Sequence, residues 1–422
     1  MSDVPPRVGL VLAGGGARGA YEAGALSVIL PELERRGERP CYFVGASVGA
    51  INAVGLAARQ HLPAAEAIEE IVQIWSRLTK DDVMRPIVSR SVAPLAARFL
   101  GQVLAVPGVR VRGLLDNAPL PHNLERWADW DRLHRAVREG AVAAVSVVAT
   151  SARTGKTVAF VESAEPAAVH RSRAIAYVDT ELGVEHVLAS ASIPVLWPAT
   201  LISTPERAKG WYFDGGTRMN TPIKPLLDLG ADRLVIVALE SAAGPVLTRA
   251  RDDDHLAAPD LGDGISHLLE GTLVDPLIDD LIKLGNINSF MVGEGAGAGP
   301  KLYRTMRGKQ PYREVPYVFV APERRGAIGE LAIDVFRERY GGVRGALRSI
   351  DFRLINDLLG GPSPAHGELL SLLLFDREFI AELIAMGRED AKRWLSGTHD
   401  GGGPWRLSPL DALTLPRQWT AG

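Results

Sequence analysis

The chain has 422 residues and a formal net charge of −3, from 47 Lys and Arg against 50 Asp and Glu. Hydrophobic residues make up 46% and charged residues 23%, which excludes a wholly disordered chain, and the basic excess that usually marks a nucleic-acid binder is missing. Cys41 is the only cysteine, so no intramolecular disulfide can form and a reducing compartment fits; a buried thiol is a plainer reading of it than a nucleophile.

The N-terminus has no charged region leading into a long apolar stretch, and no secretory signal is read there. Residues 7–12 are an apolar run entering Gly14-Gly15-Gly16, the pattern of a buried strand ending in a glycine turn. Helical content follows over 17–36, with Pro31 as a kink or a break. A second strand is expected at 41–45 and an Ala-rich helix at 48–59. Strand, helix, strand, helix in that order implies a parallel sheet with helices on its faces. The uncharged stretch 41–58 would pass a membrane-span window, but its glycines, Ser47 and Asn52 read better as strand, turn and helix. No transmembrane segment is expected, and a cytoplasmic protein whose membrane contact, if any, is peripheral.

Residues 62–100 are helical in composition and 101–125 look like a connector. A buried strand is expected at 141–149 and its partner at 157–161, across a hairpin loop. The Gly155-Lys156-Thr157 in that loop is not a phosphate loop, because Thr150 stands where the upstream glycine should be and no helix follows. Residues 184–192 read as helix, 211–213 as a short strand, and 234–239 as a further core strand within 231–240. Residues 241–265 read as a linker or mobile loop. The segment 266–396 is mainly helical, at 266–290 and 330–396, and the tail 397–422 is irregular. No internal repeat is present.

Three short motifs carry the chemistry. Gly45-Ala46-Ser47-Val48-Gly49 is a G-x-S-x-G pattern at a strand-to-helix turn, which aims the Ser47 hydroxyl out of the sheet near a helix N-terminus. Alone it is equally a glycine-rich packing turn with a capping serine. Gly14-Gly15-Gly16-Ala17-Arg18-Gly19 fits the dinucleotide fingerprint, yet the second strand ends without the acid that fingerprint needs. Its sharper reading is an oxyanion hole of bare backbone amides, with Gly15 and Gly16 as the best donors. Arg18 then orients the loop, meets a lipid phosphate, or forms a salt bridge on the helix surface. Asp214-Gly215-Gly216 follows the aromatic run Trp211-Tyr212-Phe213 and supplies a base, where the plain reading is an Asp-Gly turn. Histidine is the usual base; of the nine histidines, His255 or His267 could fill that place in the usual chain order, but each lies in a loop or helix stretch.

In this order the motifs resemble those of the patatin-like phospholipases, many of them bacterial. Ala189-Ser190-Ala191-Ser192-Ile193-Pro194, Gly113–Leu120, and Leu374-Phe375-Asp376 through Gly387–Ala391 look like further family segments. The resemblance covers about residues 8–230, a catalytic core. One departure is Ala13, where plant members carry an aspartate. The family implies a three-layer α/β/α fold, a mostly parallel sheet flanked by helices, with a largely helical C-terminal region here. It implies Ser47 as nucleophile, Asp214 as proton acceptor with no histidine between, and Gly14, Gly15, Gly16 and Arg18 lining the oxyanion site. Gly19, Gly45, Gly49, Gly215 and Gly216 complete the motifs. The implied reaction is hydrolysis of fatty-acyl lipid esters through an acyl-enzyme, at a membrane or micelle surface, with no metal or other cofactor. A free aspartate has a pKa of ~3.9, so burial would have to raise its basicity. The rival readings are a catalytically silent lipid-binding protein of the same fold and a Rossmann-type oxidoreductase.

Overall fold

The computed structural model describes residues 6–85, 113–165, 174–241, 277–291, 306, 313–340 and 365–410. Among the described residues nine strands form one sheet: β1 (Val8–Leu12), β2 (Pro40–Ala46), β3 (Ala144–Ser151), β4 (Thr157–Ser163), β5 (Ile175–Asp179), β6 (Thr200–Ile202), β7 (Gly210–Asp214), β8 (Arg233–Val237) and β9 (Tyr317–Val320). The order is β5-β4-β3-β2-β1-β8-β9. β3, β2, β1, β8 and β9 are mutually parallel. β4 turns back antiparallel on β3, and the β6–β7 hairpin adds antiparallel to the end of β3.

The central strands are apolar throughout because helices cover both faces of the sheet. Leu10, Leu12 and Phe43 belong to one buried cluster, and Val11, Tyr42 and Val44 to another on the opposite face. The first cluster packs against α1 (Gly19–Arg35), α2 (Val48–Ala58) and α3 (Ala64–Arg77). The fold is thus a mostly parallel sheet between helical layers.

Pro31 lies inside α1 without ending it. Leu30 and Leu33 on either side are buried, so packing carries the helix past the missing hydrogen bond. The expected connector at 101–125 becomes helix at α4 (Pro119–Trp127), which has proline in its first turn; residues 101–112 lie outside the described residues. Elements not expected include α5 (Trp130–Arg138), capped by Asp129 accepting from the Arg132 amide, and the strands β5, β6 and β9. α6 (Val184–Ser190) falls in its expected place, while α7 (Ile223–Leu229) was not expected.

The linker expected at 241–265 lies, apart from Ser241, outside the described residues. α8 (Leu277–Met291) falls in the expected helical stretch. The stretch 330–396 divides into α9 (Ala327–Tyr340), α10 (Ala365–Leu373) and α11 (Arg377–Ser396), with 341–364 undescribed. α11 crosses α1 at backbone contact: a side chain on Gly24 would strike the Ile384 carbonyl, and one on Gly387 the Tyr21 carbonyl. The Tyr21 hydroxyl donates to Asp390 at 2.8 Å beside this crossing. Residues 397–410, after α11, are turn-rich but anchored: Trp405 is buried and Arg406 bridges to Tyr317 on β9.

Candidate active site

The site forms at the carboxyl edge of β1 and β2, where an open α/β sheet leaves a crevice. β2 ends at Ala46 and α2 begins at Val48, leaving Ser47 to make the whole turn with φ 51° and ψ −125°. That region is sparsely populated for a residue with a side chain, and the surroundings hold it. A side chain on Gly45 would collide with the Gly49 backbone, and one on Gly49 with the carbonyls of Leu12 and Ala13. The two motif glycines therefore let the turn close against β1. The Ser47 amide donates to Ser190 Oγ at 2.8 Å, and Ser190 Oγ donates to the Val148 carbonyl at 2.6 Å. Ser190, the last residue of α6, thus ties the serine turn to β3. No local spacing signals this role, although Ser190 stands in one of the family-like segments.

Asp214 ends β7 and is 1% exposed. Its amide donates to the Ser192 carbonyl at 2.9 Å, and its Oδ1 accepts from the Gly216 amide at 2.7 Å. Oδ2 is buried and closes no hydrogen bond. Burial drives the Asp214 pKa up to about 7, against the smaller opposing pull of Ser47 and the Gly216 amide. Ser47 and Asp214 thus face each other across one cleft, close enough to interact and short of a closed hydrogen bond.

Gly14, Gly15 and Arg18 line the same cleft, and Gly19 opens α1 behind them. The Gly14 amide donates to the Asn220 carbonyl at 3.0 Å, so it is engaged away from Ser47. Gly15 and Gly16 stand at the start of the helical turn Gly16–Arg18, where amides have no partner within the helix. Gly16 has φ +57°, and the Leu372 carbonyl of α10 fills the space where a side chain would go.

Arg18 is buried, and its guanidinium is engaged on all three nitrogens. Nε donates to Ser371 Oγ at 2.6 Å, Nη1 meets Glu240 at 3.1 Å, and Nη2 pairs with the Glu368 carboxylate at 2.6 Å and also donates to the Glu368 carbonyl. It therefore clamps the glycine loop to α10 and to the end of β8, rather than lying on a helix surface. Burial and the neighbouring Glu368 charge raise the Glu240 pKa against the pull of Arg18. Beneath the loop, Glu22 is fully buried, and desolvation pushes its pKa to about 8 against hydrogen bonds from Asn52 and the Ala13 amide.

Two clefts meet at Ser47. One encloses about 550 Å³, its mouth included, and holds Asp214, Arg18, Asn220 and Glu240. The other spans about 820 Å³, its open mouth likewise included, and is apolar, lined by residues such as Val54, Ile71, Trp75, Leu124 and Trp197. None of the described histidines lines either cleft. His186 is bound to Thr204 and His134 to Glu162, while His255 and His267 lie outside the described residues. Cys41 sits at the start of β2, away from the site, with its thiol pushed up to about 11 by burial. No group of His, Cys, Asp and Glu among the described residues is arranged to hold a metal ion, and no described helix is long and apolar enough to cross a membrane.

The sequence model of the patatin-like phospholipase family matches residues 10–227. No curated protein matches the chain. Among solved structures, VipD of Legionella pneumophila is similar at a TM-score of 0.34 and 14% identity, over 92% of this chain and 67% of VipD. The heterodimeric ExoU–SpcU complex from the type III secretion system of Pseudomonas aeruginosa gives a TM-score of 0.24 and 16% identity, over 95% of this chain and 74% of the matched one.

Proposed function

The chain belongs to the patatin-like phospholipase family, and from that premise we propose that it hydrolyses fatty-acyl esters of lipids with Ser47 as nucleophile and Asp214 as base. One observation carries this reading: Ser47 is the residue common to an apolar cleft and to the cleft that holds the unpartnered Asp214 Oδ2.

The substrate's acyl chain lies in the apolar cleft and its alcohol portion in the polar one. Asp214 Oδ2 takes the proton of the Ser47 hydroxyl as Oγ attacks the ester carbonyl carbon. A pKa near 7 suits this transfer far better than a free carboxylate would. The Gly15 and Gly16 amides face the oxyanion of the tetrahedral intermediate, where losing one such donor typically costs about 2.7–4 kcal/mol. Collapse breaks the ester C–O bond, and Asp214 returns its proton to the departing alkoxide. Water then attacks the acyl-enzyme with Asp214 again taking a proton, releasing fatty acid and restoring Ser47. Arg18 acts by holding the glycine loop.

The test is a lipid panel of phospholipids, lysophospholipids and neutral esters given to the purified protein and to Ser47→Ala, with fluorophosphonate labelling of both. The expected result is ester hydrolysis and labelling in the parent alone. A folded parent that neither labels nor turns over any ester would reject the enzyme reading and leave a silent lipid-binding protein.

A further inference from the structure

The register of the sheet sets an apolar and basic rim beside Ser47. Ala46 on β2 is level with Val148 on β3, so Ser47 opens level with Ala149. Asp214 pairs with that same Ala149, and β7 and β3 then continue together past it. Beyond the end of β3 the Ala152 amide donates to the Trp211 carbonyl at 2.9 Å. Trp211 and its cross-strand partner Leu201 therefore stand three residues beyond the level of Ser47, about 10 Å at the rise of a strand.

Trp211 is 49% exposed and Leu201 42%, on one face of the hairpin. Val195 is 56% exposed on the loop between Ile193, which lines the polar cleft, and Trp197, which lines the apolar one. Its φ of 72° is an outlier for a β-branched residue, and the Leu114 amide pins its carbonyl at 3.0 Å. Four large apolar side chains are exposed among the described residues, and these are three of them. Strain that holds an apolar side chain in water at the mouth of a site calls for a partner that covers it.

The charge around these side chains says which partner. Arg153 and Lys156 lie on the β3–β4 loop beside Trp211, and Arg218 joins that loop through a 2.8 Å bond from Nε to the Gly155 carbonyl. All three are exposed, and none has a carboxylate among its described partners. Of the carboxylates at the hairpin, Glu206 is matched by Lys209 at 3.4 Å, and Glu185 accepts from the Ser203 and Thr204 amides. A chain of net charge −3 thus gathers unmatched cations at the rim of its candidate active site.

We propose that the β6–β7 hairpin, the β3–β4 loop and Val195 form a docking rim for an anionic lipid surface, seating Ser47 against it. The inference rests on the lipid-ester reading above. Tryptophan suits the boundary between water and lipid, and basic residues near an anionic surface each favour binding about fivefold. The apolar tips enter the surface while the cations meet phosphate groups at its level.

The experiment uses full-length Ser47→Ala, which leaves vesicles intact, in sedimentation with vesicles of phosphatidylcholine alone or with added phosphatidylglycerol. Salt-sensitive binding to the anionic vesicles is expected. Arg153→Glu with Lys156→Glu should lower the partition coefficient by at least about 25-fold, and Trp211→Ser should lower it further. A control, Arg35→Glu with Lys392→Glu, makes the same change in net charge on remote helices and should bind as the parent does. Melting temperatures equal to the parent's would show that the variants are folded. Equal partitioning of the rim and control variants would overturn the proposal. So would a parent that ignores anionic vesicles, which would leave the rim to an acidic protein. If the wild type hydrolyses no lipid ester while Ser47→Ala binds as described, the enzyme reading fails and the rim stands.

Discussion

The two clefts that meet at Ser47 are built in opposite ways. The apolar one is walled mainly by aliphatic and aromatic side chains of α2, α3 and α4, whose many contacts are spread and largely non-directional. The polar one is walled by turns and by single charged groups held at fixed points: Asp214 by the Gly216 amide, and Arg18 by Ser371, Glu240 and Glu368. Fragility is therefore concentrated in the polar cleft. Contacts spread over a hydrophobic wall fail gradually, whereas one displaced oxygen in the polar cleft would remove a step of the proposed reaction.

The largest expected effect lies at the sharpest point of that contrast. Asp214→Asn should lower kcat/KM for an ester by roughly 10²–10⁴-fold, the usual worth of a positioned base. In the parent, kcat/KM should fall as pH drops through about 7, because the carboxyl then holds a proton. Stability should move the other way. The folded pKa is raised, so between about 4 and 7 the folded state binds a proton that the unfolded state has lost, and stability declines as pH rises across that window. Asp214→Asn removes this cost, at most about 4 kcal/mol, and should melt higher than the parent at pH 8 while gaining little at pH 4. Unchanged activity in this variant would move the base elsewhere, and an unchanged pH dependence of melting would mean that the carboxyl is not desolvated.

Arg18→Met tests whether the polar cleft depends on its clamp. The substitution leaves Glu240 and Glu368 beside each other with only the weaker pull of Arg325 on Glu240 to offset them. A fully buried pair broken this way costs about 3–5 kcal/mol, and both glutamates keep some solvent contact, so about 2–3 kcal/mol of stability should be lost. Denaturant melts at neutral and acidic pH would check it, with the loss shrinking in acid as Glu240, its pKa raised by burial, takes up a proton. Turnover should fall as well, because the glycine loop loses its tie to α10.

How much of this was legible in the sequence follows from how local each device is. Strands β1, β2, β3 and β8 read clearly because burial on both faces leaves unbroken apolar runs. β6 and β9 have three and four residues, too few for a pattern. The serine and aspartate motifs read clearly because their glycines answer to neighbours a few residues away or on the adjoining strand. Arg18 did not, since Glu240 and Ser371 are 222 and 353 residues distant and only the fold brings them in. Ser190 and Asn220 were hidden for the same reason. A serine in a run of small residues and an asparagine in a turn gain their roles only when the Val148 carbonyl and the Gly14 amide arrive beside them.

The smallest expected effect comes from the apolar side and is graded by design of the experiment. Gly55 on α2 lines that cleft, and a side chain added there would stand 3.0 Å from Ile71, with the rest of a leucine reaching into the cleft. Gly55→Leu should therefore shorten the space for an acyl chain while leaving Ser47 and Asp214 where they are. Each methylene kept out of the cleft forfeits about 0.8 kcal/mol, roughly fourfold in kcat/KM. The measurement is a series of p-nitrophenyl esters of rising chain length. Short esters should be turned over nearly as by the parent, and the deficit should grow with each added carbon beyond the new constriction. A deficit equal at all lengths would mean that the substitution disturbed the serine turn, and no deficit at any length would place the acyl chain outside this cleft.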